Sequence, residues 1–311
     1  MKNFKNILIK VNNETNPELD IAVLQGIELA RQTGAKVTLF DVVDPLESIL
    51  SSYANIVSPK ELTELIAGQR REQLTEVAEK PEFKDVKISV LVTSGKSFIE
   101  IIKAVIVSKS DLLIKVANVY KQGFDSNDFH LMRKCAIPVW IIKSTQPNSV
   151  NKILAAVDLS MEKHAEGRAQ NRMIMDIASS LSQMEKAKLT VFSCWQLYGE
   201  QALRHGAFTR VSTEEIEVLL KNEEREYKKI LDVLISEYTN SNIEQCLEKG
   251  IPKLLIPEYV NSNLIDVVVM GTIGRSGIPG FLIGNTSETV LQGINSSVIT
   301  LKPADFLSPV R

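Results

Sequence analysis

Cysteine is scarce in this chain. Its 311 residues include only Cys135, Cys194 and Cys246. They are far apart, odd in number and form no CxxC pair, which excludes a disulfide framework or a four-cysteine zinc site. Such thiols are expected to serve as small buried hydrophobes in a reduced, cytoplasmic protein. Long apolar runs are also missing: nothing approaches the ~18 consecutive apolar residues of a membrane span. The opening MKNFKNILIKVNNE has neither the apolar core nor the small-residue cleavage site of a signal peptide. One-sided charge is absent too, since 36 basic and 38 acidic side chains leave a net charge of −2. Partners that demand a basic face, nucleic acid and anionic membrane, are therefore not expected. The histidines His130, His164 and His205 are scattered without ligand spacing, so no metal site is expected.

What is present is an ordinary globular composition, 44% hydrophobic and 24% charged, over a length that suggests two domains. The two are copies of one another. FKNILIKVNN (residues 4–13) returns as VNKILAAVDLS (150–160), and KVTLFDVV (36–43) as KLTVFSCW (188–195). SGKSFIEIIKAVIVSKSDLLIKVA (94–117) returns as KGIPKLLIPEYVNSNLIDVVVMGT (249–272), and CAIPVWIIKS (135–144) as INSSVITLKP (294–303). The order is the same in both halves. The polar stretch STQPNSVN (144–151) reads as a linker. The expected domains are residues 1–145 and 152–311.

Within each copy, short apolar runs alternate with helical patterns. In the second copy the runs are 152–158, 187–194, 242–247, 266–271 and 297–301. Most are rich in Val, Ile and Leu and nearly continuous, as strands covered on both faces should be. The third, containing Glu244 and Gln245, is the weakest. Residues 213–238 carry apolar side chains at helical spacing, with Ser212 or Thr213 as N-cap. The alternation predicts a parallel open α/β sheet in each copy, which binds ligands at the carboxyl ends of its strands.

The second copy holds GTIGRSGIPGFLIGNTSE (271–288), running from the end of an apolar strand to the start of a helix. Glycines let backbone N–H groups approach a ligand, and a helix N-terminus attracts anions. Arg275, Asn285, Thr286 and Ser287 add polar contacts, so the segment reads as a phosphate cradle or as a plain glycine-rich connection. A dinucleotide fingerprint would follow the first strand, whereas this loop follows the fourth. Ser94-Gly95-Lys96-Ser97 imitates the tail of a Walker loop, but Val90 stands where its leading glycine belongs, so it reads as a helix entry.

The Gly271-x2-Gly274-x9-Gly284 spacing resembles the ATP-binding signature of the universal stress protein family. VNKILAAVDLS and EKGIPKLLIPEYVNSNLIDVVVMGTIGRSG resemble its opening strand and its helix, Asp-led strand and glycine turn. The resemblance covers the whole chain as a tandem. It implies two Rossmann-like domains of the adenine nucleotide alpha hydrolase type. Each would be a five-stranded parallel open sheet with helices on both faces, and the two would pack as a pseudo-dimer. It further implies ATP, with Mg²⁺, in the second domain only. Ala156, Val157 and Asp158 would hold the adenine, with Ser193 near the base. Met270, Gly271 and Gly274 would line ribose and phosphates, and Gly284, Asn285, Thr286 and Ser287 would bind phosphate. The family has Ser or Thr where this chain has Asn285, an amide that still donates hydrogen bonds.

The first copy departs further. Val116 and Val119 fall where Gly271 and Gly274 sit, and Asn12 falls where Asp158 sits. Bulky side chains there block close backbone approach, so the first domain is expected not to bind ATP and to act as the partner surface. The terminal strands at 139–143 and 298–302 are expected to pair about a pseudo-twofold axis, and further homodimerisation stays open.

No catalytic residue is expected, because no nucleophile has a base beside it. His130 to Cys135 places His, Arg133, Lys134 and Cys on a short helix and reads as a solvated basic face. Long segments at 53–58 and 197–212 follow the second strand of each copy. Tyr198, Leu203, His205 and Phe208 would give the latter an apolar, aromatic wall. The resemblance implies a cytoplasmic stress-resistance protein, including resistance to DNA damage, acting through nucleotide binding. A slow ATPase and a scaffold or carrier of another ligand stay open, and the protein partners are unknown.

Overall fold

The structure is a computed structural model, which describes residues 4–12, 20–45, 58–118, 123–143, 149–205, 211–239, 242–272 and 283–310. In chain order the elements begin with β1 (Asn6–Lys10), α1 (Ile21–Thr33), β2 (Lys36–Val43), α2 (Pro59–Ala78), β3 (Ile88–Ser94) and α3 (Ser97–Val107). β4 (Leu112–Val116), α4 (Ser126–Lys134) and β5 (Val139–Ile142) complete the first copy. The second copy runs β6 (Lys152–Ala156), α5 (Ala165–Glu185), β7 (Lys188–Trp195), α6 (Glu200–His205), α7 (Thr213–Ser236) and β8 (Ile243–Lys249). It continues through α8 (Pro252–Asn263), β9 (Val267–Gly271), α9 (Asn285–Gly293) and β10 (Ser297–Leu301). The alternation of strands and helices read from the sequence is present throughout.

Two compact units emerge. One holds the described residues of the first copy together with β10, and the other holds β6 through α9. In the first unit β3-β2-β1-β4-β5 are parallel neighbours. β10 pairs antiparallel with β5, Ile299 opposite Trp140. The last strand of the second copy thus packs with the first, and the edge that β5 would otherwise expose is hydrogen-bonded. In the second unit the parallel order is β9-β6-β7-β8.

The physical reasons are local. Ile7, Leu8 and Ile9, like Ile153, Leu154 and Ala155, are fully buried in succession, which requires cover on both faces of the sheet. β8 is the edge of its sheet and exposes Glu244, Gln245, Glu248 and Lys249. That is why its sequence signal is weak. Asp111 accepts from the N–H groups of Lys5 and Asn6 at 2.8 and 3.0 Å, and Asp266 from those of Asn151 and Lys152 at 2.7 and 2.8 Å. The same aspartate therefore fixes the start of the first strand in both copies. Ser58 with Glu61 and Ser212 with Glu215 form capping boxes on α2 and α7. Ser94–Ser97 is a helix entry, as read: α3 begins at Ser97, and Gly95 takes φ +147°. In each unit the strand order reverses between β1 and β4, or β6 and β9, which opens a crevice at their carboxyl ends.

Candidate functional site

The crevice of the second unit is bounded by the ends of β6, β7 and β9 and by the N-terminus of α9. The end of β6 and the residues after it deliver half-buried Ala156, buried Val157 and exposed Asp158. Ala156 pairs with Phe192 of β7 and Met270 of β9, so the expected residues 156–158, Ser193 and 270–271 meet at one sheet edge. Asp158 is exposed and ends the strand as the cap of a short 3₁₀ turn, Leu159–Lys163. Its carboxylate accepts from the N–H and hydroxyl of Ser160 at 3.0 and 2.6 Å.

α9 begins at Gly284 with no side-chain cap hydrogen bond. Gly284 N–H donates to the Thr272 carbonyl at 2.9 Å, and the Ser287 hydroxyl donates to the Gly271 carbonyl at 3.1 Å. These two bonds fasten the first turn of α9 to the end of β9. Asn285 and Thr286 are exposed at that turn, where backbone N–H groups lack intrahelical acceptors. Gly274 and Arg275 lie outside the described residues.

Burial divides the expected set. Ala156, Asp158, Gly271, Gly284, Asn285 and Thr286 present surface, whereas Val157, Ser193, Met270 and Ser287 are at least nine-tenths buried. Ser193 donates its hydroxyl to the Val157 carbonyl at 2.9 Å. Ser193 and Ser287 each spend their one O–H on backbone, so neither has a proton left for a phosphate oxygen. Donors to an anion must come from the backbone of α9, the Asn285 amide and the Thr286 hydroxyl.

The sequence reading missed Asn171. It is 2% exposed, and its side chain grips the backbone of Asp158. Oδ1 accepts from Asp158 N–H at 3.1 Å, and Nδ2 donates to the Asp158 carbonyl at 2.9 Å and to Glu162 at 2.7 Å. The available signal was an amide at a core position of α5, in register with Gly167, Ile174 and Met175. Gln170 was missed as well: a Cβ on Gly271 would lie 2.1 Å from its Nε2, so the glycine admits this amide over the strand end.

The expected aromatic wall is corrected in part. Trp195, Ile216 and Leu220 form a satellite core, with Leu197, Leu203, Val211 and Tyr227 packed on it. Tyr198 is 99% exposed, and His205 is also exposed. Phe208 lies outside the described residues, as do 53–57 and Val119. Glu200 ties the short helix to Lys249 of β8 at 2.8 Å, and Arg204 ties it to Glu217 of α7 at 2.9 Å.

The corresponding region of the first unit is built from charge. Asp41, 0% exposed at its side chain, receives Lys10 at 2.7 Å and Arg70 at 2.5 Å. Arg70 also donates to the Asn12 carbonyl at 2.8 Å. Lys115, the cross-strand neighbour of Lys10, pairs with buried Asp128. Asp125 and Asp128 form a capping box on α4. Burial pushes the Lys10 ammonium down and the Asp128 carboxyl up from their ordinary values.

The basic helix face is not simply solvated. His130 stacks on Phe98 with centroids 4.3 Å apart, and Lys134 lies 4.4 Å over the same ring. Burial raises the thiol of Cys135 to about 11, Cys194 to about 12 and Cys246 to about 11, which keeps them protonated and unreactive. Among the described residues, no group of three or more His, Cys, Asp or Glu could hold a metal, and no helix is long and apolar enough to cross a membrane.

Relatives agree with this architecture. "Universal stress protein E" of Escherichia coli (strain K12) is 23% identical over 321 residues, covering 100% of this chain and 98% of its own. Two solved structures share the fold. A functionally unknown protein from Pseudomonas aeruginosa PAO1 has TM-score 0.69 at 22% identity, over 97% of this chain and 94% of its own. A universal stress protein from Archaeoglobus fulgidus DSM 4304 has TM-score 0.59 at 17% identity, over 96% and 98%. The family model "Universal stress protein family" matches twice, at residues 3–143 and 149–302, and the chain belongs to the universal stress protein family.

Proposed function

We propose that this is a cytoplasmic stress-response protein whose second domain, residues 152–311, binds an adenine nucleotide and whose first domain, residues 1–145, does not. The bound state of the second domain sets how the protein meets its partners, and the family's resistance to damage, including DNA damage, is the expected outcome. The observation that carries this reading is the first turn of α9. It has no side-chain cap, is anchored to β9 by Gly284 and Ser287, and begins beside a strand end that carries no side chain at Gly271. Backbone donors at a helix N-terminus suit a phosphate.

The residues fit such a ligand. Asn285 and Thr286, with Gly274 and Arg275 of the glycine segment, hold the phosphates. Ala156, Val157 and Asp158 hold the base through the strand end, and Ser193 braces Val157 from beneath. Asp158 is the acidic side chain of the set for Mg²⁺. Met270 and Ser287 shape the crevice rather than donate to it. Binding rather than catalysis is the activity proposed. The committed hydroxyls of Ser193 and Ser287 favour a second reading, a carrier for a ligand with fewer phosphate groups.

The test is calorimetric titration with ATP and Mg²⁺, and then with adenosine, of the parent and of Thr286→Asp. A carboxylate in the first turn favours the helix dipole, so the fold is kept while the triphosphate is repelled. One ATP per chain, lost in Thr286→Asp, is expected. Equal binding of ATP by both proteins refutes the phosphate assignment. Adenosine bound as tightly as ATP selects the second reading.

A further inference from the structure

The two copies offer their strand ends in one register. β1 and β6 are five residues each, β2 and β7 eight, β4 and β9 five, α4 and α9 nine. Asn6 pairs with Lys36 as Lys152 pairs with Lys188, and Ile7 with Leu112 as Ile153 with Val267. Each site position on these strands and helices of the second copy therefore has one counterpart in the first. Ala156 corresponds to Lys10, Ser193 to Asp41, Met270 to Lys115 and Ser287 to Asp128. Four uncharged residues are replaced by two cations and two carboxylates.

These replacements are partners of one another. Lys10 binds Asp41 and Lys115 binds Asp128. Arg70 completes the first pair from α2, four residues before fully buried Leu74. Its counterpart in α7, four residues before fully buried Leu231, is Tyr227. Arg70 also holds the carbonyl of Asn12, the counterpart of Asp158. At the helix, Asp125 and Asp128 cap α4 where α9 has Gly284 and Ser287 and no cap. A carboxylate there does for the helix N-terminus what a phosphate does.

We propose that the first copy is a self-occupied site: the Lys10–Asp41–Arg70 cluster and the capped, Lys115-paired Asp128 fill the place of a ligand with side chains of the chain itself. The protein then carries one half whose closure depends on ligand and one half that is closed permanently. This rests on the nucleotide reading of the second copy for what the ligand place is. It also goes beyond the loss of the glycines, because restoring glycines alone would leave the Lys10–Asp41–Arg70 and Lys115–Asp128 side chains in the place of the ligand.

The experiment transplants the cluster. Ala156→Lys, Ser193→Asp and Tyr227→Arg together rebuild it in the second copy with its charges paired. The expected variant unfolds cooperatively and binds ATP about a hundredfold more weakly or not at all, because the larger paired side chains stand where the ligand would and clash with it. A folded variant with parental ATP affinity overturns the proposal. If the transplant does not fold, the first copy decides. Asp41→Ser alone should lower the urea midpoint far more than Lys10→Ala, Asp41→Ser and Arg70→Tyr combined, with parental stoichiometry for ATP. Equal, additive losses overturn the proposal. A parent protein that binds no ATP defeats the nucleotide reading instead, and the same first-copy cycle still decides whether the cluster closes its own crevice.

Discussion

Replacing Asn171 with Ala separates a positioning role from mere packing. The side chain makes two hydrogen bonds to the Asp158 backbone and one to Glu162. Each neutral bond contributes about 1 kcal/mol net, and the one to a carboxylate about 1.5–3 kcal/mol. Ala regains about 0.5 kcal/mol in helix propensity over Asn. Asp158 is exposed, so water reaches part of what is vacated. The expected net loss is about 2–4 kcal/mol, or about 4–16 °C in Tm for a unit of this size. Asn171→Asp should cost at least as much, because a carboxylate replaces the two donors and faces Glu162. Urea unfolding at pH 7 measures the loss, and titration with ATP shows whether affinity falls with it. A loss below about 0.5 kcal/mol in Asn171→Ala would refute the bonding scheme. A large loss with unchanged affinity would show that Asp158 needs no such positioning.

Three further outcomes are expected. Ser287→Ala should cost about 1 kcal/mol and change ATP affinity less than about threefold, since its hydroxyl is already given to the Gly271 carbonyl; a tenfold loss in calorimetry would show that the hydroxyl turns to the ligand. Asp266→Ala removes two backbone bonds at the start of β6 and should lower stability by about 1–2 kcal/mol in urea without altering nucleotide stoichiometry. Lys302 is 4% exposed, and burial brings its ammonium down to about 7. The folded state then binds fewer protons than the unfolded state above that pH, so this group makes stability rise between pH 7 and 9, by up to about 2 kcal/mol. In Lys302→Met that part of the rise should vanish, and parallel pH profiles of the two proteins would contradict it.

Much of the scaffold was legible because repeats and apolar runs are local signals. The strand at residues 297–301 and the helix from Thr213 follow from period and cap alone. Less legible were places where a residue acts through space. Asn171 and Asp158 are thirteen residues apart, and only folding sets an amide under a strand end. Tyr198 reads as a ligand wall by composition yet stands in solvent, because Trp195, Leu197 and Leu203 claim the apolar contacts of that segment.

By itself the sequence determined two copies of an α/β unit and the glycine segment that one copy has and the other lacks. Those are properties of residue type and spacing. The pairing of the terminal strands, implied by the family resemblance, is met by β10 on β5. Only the tertiary structure decided that Ser193 and Ser287 spend their hydroxyls on backbone, and that Lys10, Asp41, Arg70, Lys115 and Asp128 pair with one another. Such pairings join residues 13 to 36 positions apart. Their energy depends on burial and distance, which no local pattern encodes.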